Sequence, residues 1–413
     1  MTASPEEIVA ALDVGHVKTA CLIARITASG EVTVCGAAQQ LSRGISAGYV
    51  VDAQKAEDVI RAVVASAEKM AGVNVNEVVL AISGNRQASR RIVLQHEIND
   101  AVTSGAMHRM LERGCKRFDA KGRILLHGVP LDFAIDGNGG IREPVGMHAG
   151  EITADMHLLD ADASTVANLA SILARCHLDM RDAVSAPYAA GLACMTEAER
   201  EAGALAIDFG GGNTSVALFK NGALHYVDSF ALGAAHVTRD VSIGLCTSPE
   251  NAERLKTLYG SVSPSHVDDY ESVEFVHNAD VALRKSDPTY APRSQLVSII
   301  QSRIEEIIDI LLSRLPTGLK EQAPSGAVLT GGGACLTGLC DYVSVKTGMN
   351  ARIGRPGHCA GLPESMGGPI FSTPVGVLRY YVYRRKMLAL HLKEYHRQKR
   401  WYERAWGWMR DNI

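Results

Sequence analysis

The chain has 413 residues, of which 46% are hydrophobic and 21% are charged, and its formal net charge is −3 at pH 7. This composition is that of an ordinary globular protein, and the slightly acidic balance argues against nucleic-acid binding. A single core is not expected at this length, so we predict two to four subdomains. The nine cysteines include no Cys-x-x-Cys pair. They indicate reduced core residues of a cytosolic protein rather than disulfides or metal ligands.

The N-terminal segment carries acids where a secretory signal peptide needs basic residues, and no apolar run reaches the ~18 residues of a bilayer-spanning helix. The segment IVAALDVGHVKTACLIARI (8–26) predicts a strand, a turn and a second strand. Its first apolar run ends in Asp13, Gly15 follows, and alternating apolar residues resume after Lys18. Glycine in such a turn lets backbone N–H groups approach an anion.

The same pattern recurs in GALAIDFGGGNTSVALFKNG, which begins at Gly203 and places Asp208 before three glycines. If the two hairpins face each other, their amides and Lys18 hold phosphates, and Asp13 and Asp208 hold a hydrated Mg²⁺ between them. A single glycine turn is weak evidence, because a plain hairpin has the same residues. The duplication favours a phosphate clamp. A third glycine turn, AVLTGGGACLTGL (327–339), follows an apolar strand and precedes a helical stretch.

Composition shifts predict how the chain is divided. The expected parts are a first domain (8–83 and 163–202), a subdomain inserted in it (84–162), a second domain (203–245 and 316–385), a mainly helical insertion in that domain (246–315) and a basic tail (386–413). The first inserted subdomain contains a basic run of its own, RGCKRFDAKGR. We predict a helix over residues 53–71, and a flexible loop over residues 261–293 because hydrophobic residues are scarce there.

All three tryptophans of the chain lie in its last 13 residues, directly behind a Lys/Arg-rich run. Residues 384–413 carry nine Lys/Arg against three Asp/Glu. On a helix, the apolar side chains of this tail fall within an arc of roughly 160°. A basic, tryptophan-rich helix of this kind lies in the interface of an anionic membrane. The alternative is a C-terminal helix that docks on its own domain. The predicted membrane-facing residues are Trp401, Tyr402, Trp406, Trp408 and Met409.

The three glycine turns stand in the order of the phosphate-1, phosphate-2 and adenosine motifs of the actin, Hsp70 and sugar-kinase superfamily. Within it the chain resembles the FtsA family of bacterial cell-division proteins. The stretches that carry this resemblance are SRGISAGYVVD (42–52), AERLKTLYG (252–260), LTGGGACLTGL (329–339) and GPIFSTPVGVLRY (368–380). It implies a two-domain α/β actin-like ATPase fold with duplicated strand-turn-strand phosphate motifs, inserted subdomains and a C-terminal amphipathic helix.

The resemblance implies ATP and Mg²⁺ as cofactors. Asp13 and Asp208 are then acids on the metal side, acting through water. Glu253 and Lys256 match the family pair that reaches the ribose and the adenine, although a solvent-side helical ion pair is the alternative reading. The implied nucleotide-binding residues are Gly15, His16, Val17, Lys18, Gly210, Gly211, Gly212, Asn213, Thr214, Glu253, Lys256, Gly331, Gly332 and Gly333.

Three positions depart from the superfamily pattern. His16 replaces a small hydroxyl residue, and Ser215 stands where many relatives have Asp. Both changes weaken the expected phosphate or metal contacts. Ala186 precedes a proline where relatives often carry the carboxylate that orients the attacking water. Because a methyl group cannot orient or deprotonate water, we expect weak or no ATP hydrolysis.

The resemblance also implies partners. The helical insertion, through APRSQLVSIIQSRIEEIIDILLSRL, would receive the C-terminal peptide of the tubulin-like protein FtsZ, with Arg293 and Arg303 as candidate contacts; solvated surface charge is the alternative for both. Residues 84–162 would serve self-association into filaments and later division proteins. The expected function is an anchor for FtsZ on the cytoplasmic face of the inner membrane at the septum. A pilus-assembly actin-like protein and a small-molecule kinase of the same fold are the alternatives.

Overall fold

The computed structural model describes residues 6–84, 86–277 and 289–391. In chain order the strands are β1 (Glu7–Val14), β2 (Lys18–Ile26), β3 (Val32–Leu41), β4 (Ile45–Ser46), β5 (Tyr49–Val50), β6 (Glu77–Ile82), β7 (Gln87–Ala101), β8 (Arg123–Ile135), β9 (Asn138–Ile141), β10 (His148–Asp162), β11 (Asp179–Ser185), β12 (Ala204–Phe209), β13 (Thr214–Lys220), β14 (Ala223–Phe230), β15 (Ser272–Phe275), β16 (Thr289–Pro292), β17 (Ala327–Thr330) and β18 (Ala351–Ile353). The helices are α1 (Ala53–Ala71), α2 (Ser104–Lys116), α3 (Ala163–Arg175), α4 (Ala186–Cys194), α5 (Glu197–Ala202), α6 (Ala234–Gly244), α7 (Pro249–Tyr259), α8 (Arg293–Arg314), α9 (Leu319–Gln322), α10 (Leu339–Thr347) and α11 (Ser372–His391).

Two five-stranded sheets repeat one topology. Their strand orders are β11-β6-β1-β2-β3 and β14-β13-β12-β17-β18. In each sheet the first three strands form an antiparallel meander, and two later strands add to it in parallel. Asp13 pairs with Ala20 across the first hairpin, and Asp208 pairs with Ser215 across the second. Since both pairs span seven residues, the two acids occupy equivalent positions of equivalent hairpins.

The inner strands are apolar on both faces because both faces are covered. α1 and α3 cover the outer face of the first sheet, and α8 and its neighbours cover the outer face of the second. A further core cluster joins inner-face residues of both sheets with α4 and α11. The helix predicted over residues 53–71 is confirmed as α1. It begins where the Asp52 side chain accepts a hydrogen bond from the Lys55 N–H at 3.1 Å and ends at left-handed Gly72.

α4 and α11 are the two helices through which the chain crosses between the sheets, and they pack directly on each other. At their crossing a Cβ atom added to Gly376 would overlap the backbone carbonyl of Ala189. The absence of a side chain at Gly376 therefore sets how closely the two crossing helices approach.

Gly376→Ala is expected to destabilise the protein by about 3 kcal/mol, because the backbone of one crossing helix must shift to admit the methyl group. Thermal unfolding measures this as a lower midpoint. Gly368→Ala is the matched control, since no atom lies within 4 Å of the Cβ it would add. Equal midpoints for the two variants would contradict the close-approach argument.

The inserted sheet has the strand order β7-β10-β8-β9, with α2 packed on it over a separate small core. It also contacts the second domain, because the Ser89 hydroxyl on β7 donates to the Val227 carbonyl at 2.9 Å and accepts from the Val227 N–H at 2.8 Å on β14. The inserted subdomain therefore bridges both domains.

The flexible loop predicted over residues 261–293 is wrong for the part that the structure describes. β15 and β16 pair there as an antiparallel ribbon. The Arg293 guanidinium bonds the buried Asp268 carboxylate at 2.8 Å, which ties the segment before β15 to the start of α8. Few hydrophobic residues are needed, because this long-range ion pair and the packing of Val273 and Phe275 hold the segment.

None of the described helices combines the length and the apolar character that crossing a membrane requires. α11 ends the described part of the chain at His391. The predicted membrane residues Trp401, Tyr402, Trp406, Trp408 and Met409 lie outside the described residues.

Candidate functional site

A cleft of about 670 Å³ opens between the two domains. All three glycine turns line it, together with α6, α7 and the segment before α11. Among the residues proposed from the sequence, those that line the cleft are Asp13, Gly15, His16, Val17, Lys18, Asp208, Gly210, Gly211, Asn213, Glu253, Lys256, Gly331, Gly332 and Gly333. The structure therefore brings residues from both halves of the chain to one site.

The two hairpin turns have the same backbone geometry. A Cβ atom on Gly15 would lie 2.8 Å from the Lys18 carbonyl oxygen, and one on Gly210 would lie 2.8 Å from the Asn213 carbonyl oxygen. The Gly15 N–H donates to the Lys18 carbonyl at 3.0 Å. Only glycine fits so close to the returning strand, which explains its presence at the second position after each acid.

The hairpins touch each other across the cleft. A Cβ atom added to Gly211 would overlap the Val17 side chain, and one added to Gly212 would lie 2.8 Å from His16 Cγ. His16 Nδ1 accepts the Ala47 N–H at 3.3 Å. The bulky residue that departs from the superfamily pattern is thus accommodated by a glycine opposite it, and burial lowers the pKa of His16 below its ordinary range.

Thr214 and Gly212 do not line the cleft directly. Thr214 is buried, and its hydroxyl donates to the Leu232 carbonyl at 2.8 Å. Asn213 Nδ2 lies 3.5 Å from the Ser229 hydroxyl on the neighbouring strand. These contacts brace the second hairpin from behind, so Thr214 positions the turn.

Two carboxylates and one ammonium group face one another at the base of the cleft. Burial, followed by the neighbouring Asp13 carboxylate, raises the pKa of Asp208 to about 7. Burial also raises the pKa of Asp13, although the Lys18 ammonium offsets part of this effect. The pKa of Lys18 is lowered to about 8 by burial, against the attraction of both acids. The Lys18 ammonium donates to the Ile370 carbonyl at 2.7 Å.

The acidic pair fits a magnesium ion. Within the described ranges, no group of three or more His, Cys, Asp or Glu side chains comes together as a metal cluster. Mg²⁺ commonly takes one or two protein carboxylates and keeps water and phosphate oxygens as its other ligands. Two buried acids with raised pKa values indicate a place where a cation would stabilise the ionised forms.

The third glycine turn packs on the second hairpin. Gly331 has a φ of +82°, and an added Cβ there would overlap Asp208 Oδ1. An added Cβ on Gly333 would lie 2.9 Å from Phe209 Cβ. Gly332 is different, because the nearest atom to its added Cβ is 3.9 Å away. Gly331 and Gly333 therefore hold the turn against β12, and Gly332 leaves open space in the cleft.

Glu253 and Lys256 form an ion pair on α7 with a distance of 2.7 Å between Nζ and Oε2. Both residues line the cleft, with the Lys256 side chain 12% exposed and the Glu253 side chain 54% exposed. The Thr238 hydroxyl donates to Glu253 at 2.5 Å and accepts from Lys256 at 2.8 Å. Burial raises the pKa of Glu253, but the bonds from Lys256 and Thr238 outweigh it and leave the pKa below its usual range.

Sequence reasoning missed the contribution of α6. The Ala234 and Ala235 N–H groups at its start donate to the Gly210 and Gly211 carbonyls, both at 2.9 Å. These two hydrogen bonds attach the second hairpin turn to the start of α6. The sequence offers one signal for this contact, the glycine at position 233 directly before α6. In the structure, a Cβ atom added to Gly233 would overlap the Gly210 carbonyl and lie 2.9 Å from the Asn213 nitrogen.

Ala186 and Ser215 also line the cleft. Ala186 is the first residue of α4 and lines the same cleft as the two acids. Ser215 is buried opposite Asp208 in the strand register. The cleft thus has an alanine at the position where the superfamily pattern has a water-orienting carboxylate.

The two arginines proposed for partner binding already form ion pairs within the protein. Arg293 pairs with Asp268 and with Glu271, the latter at 3.0 Å. Arg303 pairs with Asp240 and Glu306. An acidic peptide would have to compete with these carboxylates, so their role in partner binding stays a prediction.

Comparisons with known proteins agree with the motif order. The family model described as "Cell division protein FtsA" matches residues 205–376, and the model "SHS2 domain inserted in FTSA" matches residues 82–159. The chain is 35% identical over 387 residues to the cell division protein FtsA of Rhizobium meliloti, covering 90% of this chain and 87% of that protein. It is 28% identical over 396 residues to FtsA of Escherichia coli K12, covering 92% and 91%.

Solved structures share the fold. The chain is similar to a structure of the PilM-PilN type IV pilus biogenesis complex, with a TM-score of 0.64, 16% identity and coverage of 92% of this chain and 99% of that one. It is also similar to MreB5 of Spiroplasma citri bound to AMPPNP, with a TM-score of 0.56, 14% identity and coverage of 94% and 99%. These likenesses show the actin-like two-domain fold.

Proposed function

Because the chain belongs to the FtsA family of cell division proteins, we propose that it binds ATP with Mg²⁺ and polymerises on the inner face of the cytoplasmic membrane. There it anchors the tubulin-like protein FtsZ at the septum and recruits later division proteins. The observation that carries the proposal is the convergence of the two Asp-Gly hairpins and the third glycine turn on one cleft between the two domains.

Each part of the cleft has a role in this proposal. The turn amides of both hairpins and Lys18 take the phosphates. Asp13 and Asp208 hold Mg²⁺ through water, and the ion neutralises phosphate charge. Glu253 and Lys256, fixed by Thr238, meet the ribose and adenine. A nucleotide held by both hairpins favours the closed arrangement of the domains, because it contacts both halves at once.

Restoring a carboxylate at position 186 tests the proposed slow hydrolysis. Ala186→Glu is expected to raise the ATP hydrolysis rate by roughly 10- to 100-fold, since a positioned base then orients and deprotonates water. Ala186→Gln is the control of equal size without a base. Phosphate release by both purified variants is the measurement, and equal rates would remove support for the missing-base explanation.

The membrane part of the proposal is supported by the tail pattern. Trp401, Trp406 and Trp408 lie among arginines in the last 13 residues. α11, which leads to this tail, is fixed on the first domain, since Arg384 pairs with Asp182. An interfacial helix binds weakly and reversibly by itself. A filament presents many tails at once, so polymers are proposed to bind membranes far more tightly than monomers do.

Sedimentation with anionic liposomes tests the whole proposal. The full chain is expected to pellet with liposomes in the presence of ATP and Mg²⁺ and to carry FtsZ with it. FtsZ that lacks its C-terminal peptide is the control and should stay in the supernatant. The proposal fails if the chain does not pellet under any nucleotide condition or if both forms of FtsZ pellet equally.

A further inference from the structure

A basic face on α2 is not used by the nucleotide cleft. Arg109, Arg113 and Lys116 recur at three- and four-residue spacing and fall within an arc of about 60° around the helix axis. All three side chains are exposed. Arg117 and Lys121 follow directly and are also exposed. We call these five residues the α2 basic face.

Most of this charge is not neutralised by the protein. Residues 109–121 contain five basic and two acidic side chains, whereas the whole chain has a formal net charge of −3. Lys116 pairs with Glu112 at 2.7 Å. The other four cations of the face form no ion pair with any residue in the described part of the chain. Uncompensated positive charge on an acidic protein indicates an anionic partner.

The face lies beside the helix that leads to the tail. α2 packs against α11. The two helices share a neighbour in β8, because an added Cβ on Gly128 would lie 2.5 Å from Cys115 Sγ of α2, and the preceding His127 lies 3.3 Å from the Tyr380 hydroxyl of α11. The C-terminal end of α2 and the middle of α11 are therefore close together.

The first arginines after Tyr383 are occupied within the protein. Arg384 pairs with Asp182, and Arg385 Nη1 lies 3.3 Å from Glu7 Oε2. These contacts fix α11 on the first domain but remove two cations from those available to headgroups. The α2 basic face supplies further cations on a helix that packs against α11.

We propose that the α2 basic face is a second membrane contact, which binds anionic lipid headgroups next to the tail. This rests on the proposed membrane attachment of the tail. Each basic residue near an anionic surface adds attraction, and a contact on the same molecule acts at high effective concentration once the tail is inserted. Two contacts also fix the orientation of the protein on the bilayer, whereas a protein attached by a single helix is free to rotate.

The test uses the full chain with Arg109→Gln and Arg113→Gln combined, on phosphatidylcholine vesicles with or without a one-third fraction of phosphatidylglycerol. Binding to the anionic vesicles is expected to weaken roughly tenfold at low salt, and to change little on neutral vesicles. Lys55→Gln combined with Lys69→Gln, an equal charge change on the exposed side of α1, is the matched control and should bind like the parent.

Glu112→Gln is a second test, in which binding to anionic vesicles is expected to become stronger rather than weaker. It removes the acid that pairs with Lys116 and is expected to tighten binding to the anionic vesicles. Parental binding by the Arg109 and Arg113 variant would overturn the inference, and loss of an acidic protein partner by that variant would assign the face to protein recognition instead. Undiminished binding after removal of the tail would instead contradict the proposed attachment, so the two failures are distinguishable.

Discussion

Asp208→Asn is expected to weaken binding of ATP with Mg²⁺ by roughly 10- to 100-fold, the usual effect of removing a group that holds a metal through its water shell. The carboxylate lies at the base of the cleft, beside Asp13 and against Gly331. Asparagine keeps the shape and removes the charge. Isothermal titration with ATP measures the effect with Mg²⁺ and again with EDTA. In EDTA the variant should bind ATP no more weakly than the parent, because a negative charge near the phosphates is gone.

The same substitution is expected to stabilise the nucleotide-free protein. The pKa of Asp208 is about 7, above the ordinary carboxyl value of roughly 4. Between about pH 4 and about pH 7, the folded state therefore holds a proton that the unfolded state has released. Its contribution to stability therefore falls as the pH rises from about 4 to about 7. Asp208→Asn should raise the thermal midpoint by roughly 2–4 °C at pH 8 and by less at pH 6.

Asp58→Asn, on the exposed side of α1, is the control for both measurements and should change neither. Unchanged affinity for ATP with Mg²⁺ in the Asp208 variant would contradict the assignment of the second hairpin. A midpoint that rises more at pH 6 than at pH 8 would contradict the raised pKa.

Deleting residues 401–413 is expected to reduce binding to anionic liposomes at least tenfold without unfolding the protein, since these residues hold all three tryptophans. The thermal midpoint should stay the same, because α11 keeps its contacts with the first domain, including the bond from the Tyr381 hydroxyl to Glu7 at 2.9 Å. Co-sedimentation and thermal unfolding on the same preparation measure both effects.

Trp406→Glu is the matching point variant and should behave nearly like the deletion. A carboxylate there meets hydrocarbon on one side and anionic headgroups on the other, and both effects oppose binding. Undiminished co-sedimentation of the deleted protein in the absence of a partner would refute membrane attachment through the tail.

Much of the architecture could be predicted from local patterns. The two hairpins were predicted because a strand, an acid and a glycine turn involve residues close in sequence. Residues 53–71 were predicted as a helix because Asp52 and Gly72 are recognisable end signals around an amphipathic run. The order of the three glycine turns was enough to indicate the actin-like fold, which the comparisons confirm.

Other features depend on residues far apart in the chain. Thr238 joins Glu253 and Lys256 although nothing in its own segment indicates that role. The ion pairs that engage Arg293 and Arg303, and the ribbon found where a flexible loop was predicted, also come from distant segments. A hydrogen bond or an ion pair needs two groups within a few ångströms, and the sequence shows only one of them at a time.

The sequence by itself determined the chemistry available: two acids, a lysine, three glycine turns and a basic tail rich in tryptophan. The tertiary structure alone decided which of these share a space. Asp13 and Asp208 lie almost 200 residues apart, and the Asp13 carboxylate raises the pKa of Asp208 only because two separate sheets place their hairpin turns against one cleft. Burial and proximity arise only when the chain is folded and packed. In an unfolded chain the same carboxylates would titrate as ordinary acids.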